Sequence, residues 1–395
     1  MTNSNKWLLP EGVQEILPKE AQQIESIRRQ ILDTFHCWGY DQVIPPMIEF
    51  LDSLLVGTGS DLELKTFKIT DQISGKTLGI RADMTPQVAR IDAHHIKKEG
   101  TSRLCYMGSV LHTKPEYFGK SRSPLQIGAE FYGHDGVESD IEIISLMLET
   151  LEISGIKNSY LDLGHVGIFR ELIKLAGCDS HQEAEIFEIL QRKAKSELNE
   201  YLNQIDLADN YIKMIVSLVD LNGSEEILSD ATKLLQQSNQ RVMDAVEYLK
   251  TVANYIKQRF PTLNIIFDLA EIREYQYHTG IVFASYVDDV GEAIARGGRY
   301  NDIGKVFGRS RPATGFSTDL KLLINNQQEI TELKQNELIA APWSDDKKLH
   351  DEIESYRSQG CRVISVFDES NESLKEQGFN RQLVFSNGQW NICKI

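Results

Sequence analysis

Between residues 166 and 260 the sequence carries a helical periodicity almost without interruption, and on both sides of that stretch it carries short runs of period two. This arrangement constrains the fold more than any other feature. Strands that come in runs, with helices gathered elsewhere, build an antiparallel sheet flanked by helices. The strict strand–helix alternation of a doubly wound parallel sheet is missing. The sequence therefore predicts an α+β core over residues 1–325 with a helical insertion at about 166–260. A small C-terminal α/β module is predicted over 326–395.

The individual runs are legible within this plan. Ile24, Ile27, Ile31, Leu32 and Phe35 recur at three- and four-residue steps and predict a helix over 19–38, with Gly39 placed to stop it. Gln42 to Phe50 is extended and holds Pro45–Pro46. Proline cannot donate to a sheet ladder, so this is an edge strand or a strand end, a common interface position. Runs at Thr66–Ile69, Thr77–Arg81, Leu104–His112 and Leu125–Tyr132 are bounded by Gly, Pro, Asp and Ser and predict strands, with a helix at Thr85–Lys97 among them. A helix at Ser139–Ser154 and a strand at Tyr160–Leu163 follow. Beyond the helical stretch, which breaks at Gly223, strands are predicted at Asn264–Asp268, Tyr277–Val287 and Glu292–Ala295. A turn at Gly297–Gly298 and a helix at Phe316–Asn325 close the core. The tail predicts strand Glu337–Ala341, helix Asp346–Gln359, strand Arg362–Phe367 and a hairpin Leu383–Lys394 turning at Ser386–Asn387–Gly388.

Charge narrows the partners. The formal net charge is −16, and no basic run offsets it. A polyanion repels phosphate backbones, so nucleic acid is not expected as a partner. The polar opening Met1–Trp7 lacks an apolar core, and no apolar run approaches about 18 residues, so a cytoplasmic protein with no membrane contact is expected. Cys37, Cys105, Cys178, Cys361 and Cys393 are isolated and form no CxxC pair. They read as buried thiols of a reducing compartment rather than zinc ligands or a disulfide framework. His94 and His95 are adjacent on a helix and point apart, so no metal site is expected.

Three polar clusters interrupt the strands: Arg81-Ala82-Asp83-Met84-Thr85, Gln126-Ile127-Gly128-Ala129-Glu130, and Arg273 through Gly280. Gln126, Gly128 and Glu130 alternate and so share one face of a strand. An amide and a carboxylate on one sheet face are costly unless paired or solvated. Taken singly, each cluster has a plain reading. The strand face can be solvated, Asp83 and Thr85 can cap a helix, Arg273 can sit in an ion pair, and Arg299 to Asp302 can form a turn.

In this order the clusters resemble the catalytic core of the histidyl-tRNA synthetase family, class II aminoacyl-tRNA synthetases, over roughly residues 8–325. Leu9 to Pro18 is similar to the family's opening, and Pro45–Pro46 with Glu49 to its dimer-forming motif 1. Ile80 to Thr85 is similar to the segment that holds the ligand's amino group. Leu125 to Glu130 resembles the strand after the motif 2 loop, and Arg273 to Gly280 and Gly297 to Tyr300 resemble the two histidine-specific motifs. The resemblance implies that Asp83, Thr85 and Gln126 hold an α-ammonium. It implies that Glu130 accepts from an imidazole N–H, helped by Tyr277 or His278. Arg273 is implied to meet a carboxylate, and Tyr300 to close the pocket. His278 stands where the family usually has tyrosine.

The departures decide what kind of member this is. The motif 2 arginine position falls on Leu111 or His112, its glutamate on or near Thr113, and the motif 3 arginine on Leu322. Leucine cannot replace a bidentate, always-charged guanidinium on a triphosphate. The last 65 residues are short for an anticodon-binding domain and carry more acidic than basic groups. The run Ser121 to Glu130 and Tyr277-His278-Thr279-Gly280 closely resemble the regulatory-subunit family of ATP phosphoribosyltransferase, synthetase paralogues. That resemblance implies a subunit with no catalysis and no cofactor of its own. It would form dimers and join the short-form catalytic subunit in a hetero-octamer, activate it in the first step of histidine biosynthesis, and relay feedback inhibition by histidine as an allosteric ligand.

Overall fold

The structure is a computed structural model and describes residues 7–56, 60–115, 121–271, 277–288, 290–328, 338–367 and 370–395. The chain divides into two compact units, Met1–Glu329 and Ile330–Ile395.

The first unit opens with α1 (Pro18–Cys37), a proline-started helix that buries Ile24, Ile27, Ile31 and Phe35 along one stripe. Each such side chain contributes roughly 1.5–3 kcal/mol on burial. Strands β1 (Asp41–Gln42) and β2 (Ile48–Phe50) flank the proline pair, and both lie at sheet edges, as a prolyl segment requires. Helices α2 (Leu51–Leu54) and α3 (Ser60–Lys65) lead into the hairpin β3 (Phe67–Thr70) and β4 (Thr77–Ile80). The helix predicted at 85–97 is two pieces: α4 (Thr85–Ile91), then a π-helical turn, Asp92–Ile96, ending on left-handed Lys97.

Strands β5 (Ser102–Ser109) and β6 (Leu125–Tyr132), helix α5 (Val137–Ile153) and strand β7 (Ser159–His165) follow, β6 with its predicted bounds. The insertion comprises α6 (Val166–Ala176), α7 (Ser180–Gln191), α8 (Lys195–Gln204), α9 (Asp209–Ser217), the two-residue strand β8 (Asn222–Gly223), α10 (Glu226–Leu234) and α11 (Gln240–Arg259). Asp179 and Gln182 form a capping box on α7, and Gly177 takes the left-handed turn that ends α6. Strand β9 (Asn264–Asp268) resumes the sheet, followed by β10 (Ile281–Val287), β11 (Ala295–Arg299), the short helix α12 (Ile303–Val306), β12 (Ala313–Asp319) and α13 (Leu320–Asn325).

Nine strands form the central sheet in the order β1-β5-β6-β12-β11-β10-β7-β9-β8, and β2-β4-β3 form a small second sheet. The central sheet is mostly antiparallel, with parallel pairs β1–β5 and β7–β9. It is the predicted α+β architecture, with local corrections: the strand expected at Tyr277–Val287 starts at Ile281, and the one expected at Glu292–Ala295 starts only at Ala295. Gly297–Gly298 is not a turn but the middle of β11, and Phe316–Asp319 belongs to β12, so helix α13 starts four residues later than expected. The glycines suit a strand because neighbouring side chains fill their Cβ positions: the Phe283 ring at Gly297 and the His278 ring at Gly298.

In the second unit, β13 (Leu338–Pro342), α14 (Lys347–Ser358), β14 (Arg362–Val366), α15 (Asn371–Glu376), β15 (Arg381–Ser386) and β16 (Gln389–Lys394) make a sheet in the order β14-β13-β15-β16. Leu349 and Ile353 of α14 pack on Ile339, Val363 and Leu383, while Leu374 and Phe379 cover Ala340. The expected burial of all five cysteines fails: Cys105 is buried, but Cys37 and Cys393 are exposed. Among the described residues no helix is long and apolar enough to cross a membrane.

Candidate functional site

One face of the central sheet floors a cleft of about 470 Å³. Register decides what that floor presents. Gln126, Gly128 and Glu130 of β6 pair with Asp319, Ser317 and Gly315 of β12, and Gly315 pairs with Gly298 of β11. Alternation turns all of these to the same side. Glycine and serine form the floor, and the polar side chains rise around it.

At one end, the turn before α4 meets β6. The Gln126 amide clamps that turn, donating from Nε2 to Asp83 Oδ1 at 2.7 Å while its Oε1 accepts from the Met84 N–H at 3.0 Å. Thr85 donates from its backbone N–H to the same Asp83 oxygen at 3.1 Å, and its hydroxyl oxygen lies 3.3 Å from it. Asp83, Thr85 and Gln126 thus form one acceptor-rich corner.

Glu130 is 1% exposed and accepts from two tyrosines, Tyr106 at 2.9 Å on Oε1 and Tyr300 through a short bond on Oε2. Burial pushes its carboxyl up to about 8, and the two donated hydrogen bonds only partly oppose that rise. The Tyr106 hydroxyl also meets Thr85 Oγ1 at 3.0 Å, so a chain of hydrogen bonds runs from Asp83 to Glu130. Tyr277 stacks on Tyr300 with ring centroids 5.0 Å apart, and His278 stands edge-on to Tyr277 at 5.3 Å.

Seven of the eight candidate residues line this single cleft: Asp83, Thr85, Gln126, Glu130, Tyr277, His278 and Tyr300. Arg273, with the first half of its cluster (residues 273–276), lies outside the described residues. The sequence reading missed Tyr106. It sits behind the wall and is wholly buried, and its signal was the alternation Leu104–Tyr106–Gly108 opposite Glu130–Gly128–Gln126.

The other end of the cleft holds His112, Lys321 and Leu322. Lys65 and Arg296 also line the cleft, and three further basic side chains in or beside it bond backbone carbonyls. Lys321 Nζ donates to Ser123 O at 2.7 Å, His112 Nε2 to Ala82 O at 2.9 Å, and the nearby Arg122 Nε to His112 O at 3.0 Å. A third feature was not foreseen: carboxylate oxygens of Asp162, Asp268 and Glu271 lie within 4.8 Å of one another. Lys193 Nζ, 2.5 Å from Asp268, answers part of that charge.

Comparison with known proteins identifies the family and the fold. The family model for histidyl-tRNA synthetase matches residues 12–323, and that for the ATP phosphoribosyltransferase subunit HisZ C-terminal domain matches 336–393. An ATP phosphoribosyltransferase regulatory subunit of Thioalkalivibrio sulfidiphilus is 49% identical over 397 residues, covering 100% of both chains. Its counterpart in Alkalilimnicola ehrlichii is 50% identical, covering 98% of this chain and 96% of that one. Among solved structures, an ATP phosphoribosyltransferase regulatory subunit/histidyl-tRNA synthetase of Bacillus halodurans superposes with a TM-score of 0.82 at 23% identity, covering 94% of this chain and 96% of that one. Histidyl-tRNA synthetase of Nostoc superposes with a TM-score of 0.77 at 16% identity, covering 98% and 97%, which speaks for the fold. With both units matched and about half of all residues shared over the full length, the chain belongs to the family of ATP phosphoribosyltransferase regulatory subunits, on a histidyl-tRNA synthetase fold.

Proposed function

We propose that this chain performs no catalysis of its own, activates a short-form catalytic subunit of ATP phosphoribosyltransferase, and transmits feedback inhibition by histidine. The supporting observation is the asymmetry of the cleft. One end offers an acceptor corner (Asp83, Thr85, Gln126), a buried carboxyl (Glu130) and an aromatic wall (Tyr277, His278, Tyr300). These complement an ammonium and an imidazole N–H. Arg273 supplies the cation for the carboxylate in this reading. The other end has leucine at 322, where the family's motif 3 arginine would stand, and Lys321 beside it is spent on the Ser123 carbonyl. Without guanidinium clamps a triphosphate is not held for in-line attack, and the loss of such electrostatic groups costs several kcal/mol of transition-state stabilisation.

The protein works in the cytoplasm as a self-dimer inside a hetero-octamer, and takes no nucleic acid. The segment around Pro45–Pro46 supports the dimer: Ile44, Met47, Ile48 and Phe50 are exposed apolar side chains on one short stretch. Mixing the purified chain with the short-form transferase tests the reading. The transferase rate should rise, and histidine should lower it again. An unchanged rate, or histidine-dependent exchange of pyrophosphate into ATP by the chain alone, would refute it.

A further inference from the structure

Arg299 follows the glycine pair on β11 and is 5% exposed. Its guanidinium points away from the cleft into the first turn of α5. Nε donates to Asp140 Oδ2 at 3.0 Å, and Nη2 to Ser139 Oγ at 2.8 Å and Gly136 O at 3.1 Å. Asp140 is wholly buried, and its Oδ2 also accepts from the Tyr248 hydroxyl at 2.5 Å. Tyr248 belongs to α11, in the helical insertion. Its ring lies edge-on to His165, the cap of α6.

The same arginine builds the pocket wall on its other side. The backbone N–H of Thr279 donates to Arg299 O at 2.7 Å, and Thr279 Oγ1 accepts from the Asn301 N–H at 2.9 Å. The aliphatic stem of Arg299 crosses Gly280 so closely that a Cβ there would lie 3.0 Å from its Cδ. Arg299 thereby seats the turn that carries Tyr277 and His278, and its chain neighbour Tyr300 donates to Glu130. A buried ion pair with this many bonds is costly to break and holds one arrangement of the parts it joins.

We propose that Tyr248, Asp140 and Arg299 form a positioning relay through which helix α11 of the insertion fixes the pocket wall bearing Tyr277, His278 and Tyr300. None of the three is a cleft-lining residue. The relay makes the insertion part of the ligand site, and it rests on the reading of that cleft as a histidine site.

The full-length chain carrying Tyr248→Phe tests it against Tyr40→Phe, which removes the same kind of bond, a tyrosine hydroxyl to the α5 carboxylate Glu142 at 2.9 Å, at a residue outside the cleft lining. Tyr248→Phe should weaken histidine binding about fivefold, while Tyr40→Phe, with a similar loss of melting temperature, should leave it unchanged. Without any ligand, the Thr279 and Asn301 amides should exchange hydrogen about fivefold faster in Tyr248→Phe alone. Equal affinities and equal exchange in the two variants would overturn the relay. A wild-type chain indifferent to histidine would overturn the reading of the cleft instead, and the exchange comparison would still decide the relay.

Discussion

Gly315 stands directly across the β6–β12 ladder from Glu130, and a methyl group on it would fall inside the Glu130 carboxylate. The buried acid exists because its partner residue has no side chain. Gly315→Ala should displace Glu130, since the carboxyl is the group with room to move towards the cleft. Histidine binding should weaken about tenfold in a titration calorimeter, since leaving a buried polar group without its partner costs about 1–3 kcal/mol.

The Glu130 carboxyl, raised by burial to about 8, makes the unliganded chain pH-sensitive. In the unfolded chain the group titrates at the ordinary carboxylate value near 4.5. Between about pH 4.5 and 8 the folded state therefore holds a proton that the unfolded state has lost. Stability from this group is highest at low pH and declines as pH rises through that window, by at most about 1.4 kcal/mol per pH unit. Glu130→Gln should flatten that slope. Melting temperatures of both proteins from pH 5 to 9 measure it, and parallel curves would contradict the assignment.

Tyr106→Phe removes the hydroxyl that joins Thr85 to Glu130. The expected cost is roughly 1 kcal/mol, about fivefold in histidine affinity, with the fold intact by circular dichroism. An affinity equal to wild type would mean that the two ends of the pocket are held independently.

Arg273→Ala should weaken histidine inhibition of the assembled transferase by about ten- to a hundredfold, the range of a lost charged hydrogen bond. Activation by the chain should persist. Unchanged inhibition would place the ligand's carboxylate elsewhere.

Much of this site was legible in the sequence, and the failures have physical causes. Strands β6 and β9 were read to the residue because Pro, Gly and Asp punctuate them and apolar residues fill the runs. Gly297 and Gly298 misled because glycine reports freedom of the backbone, whereas here it reports neighbours that fill its space, the Phe283 and His278 rings. Phe316 to Asp319 read as helix because the apolar Leu320, Leu322 and Leu323 follow directly. The strand shows only when β11 and β6 are set on either side. Tyr106 and the Arg299–Asp140–Tyr248 contacts depend on register and on residues more than 100 positions apart, which no local pattern encodes.

The central claim is that the cleft has kept its grip on a free amino acid and lost the means to activate it. Titrating histidine into the purified chain, with ATP present and pyrophosphate exchange followed in the same sample, tests both halves at once. The account predicts saturable histidine binding and no exchange above background. Exchange that depends on histidine, or no binding at all, would contradict it.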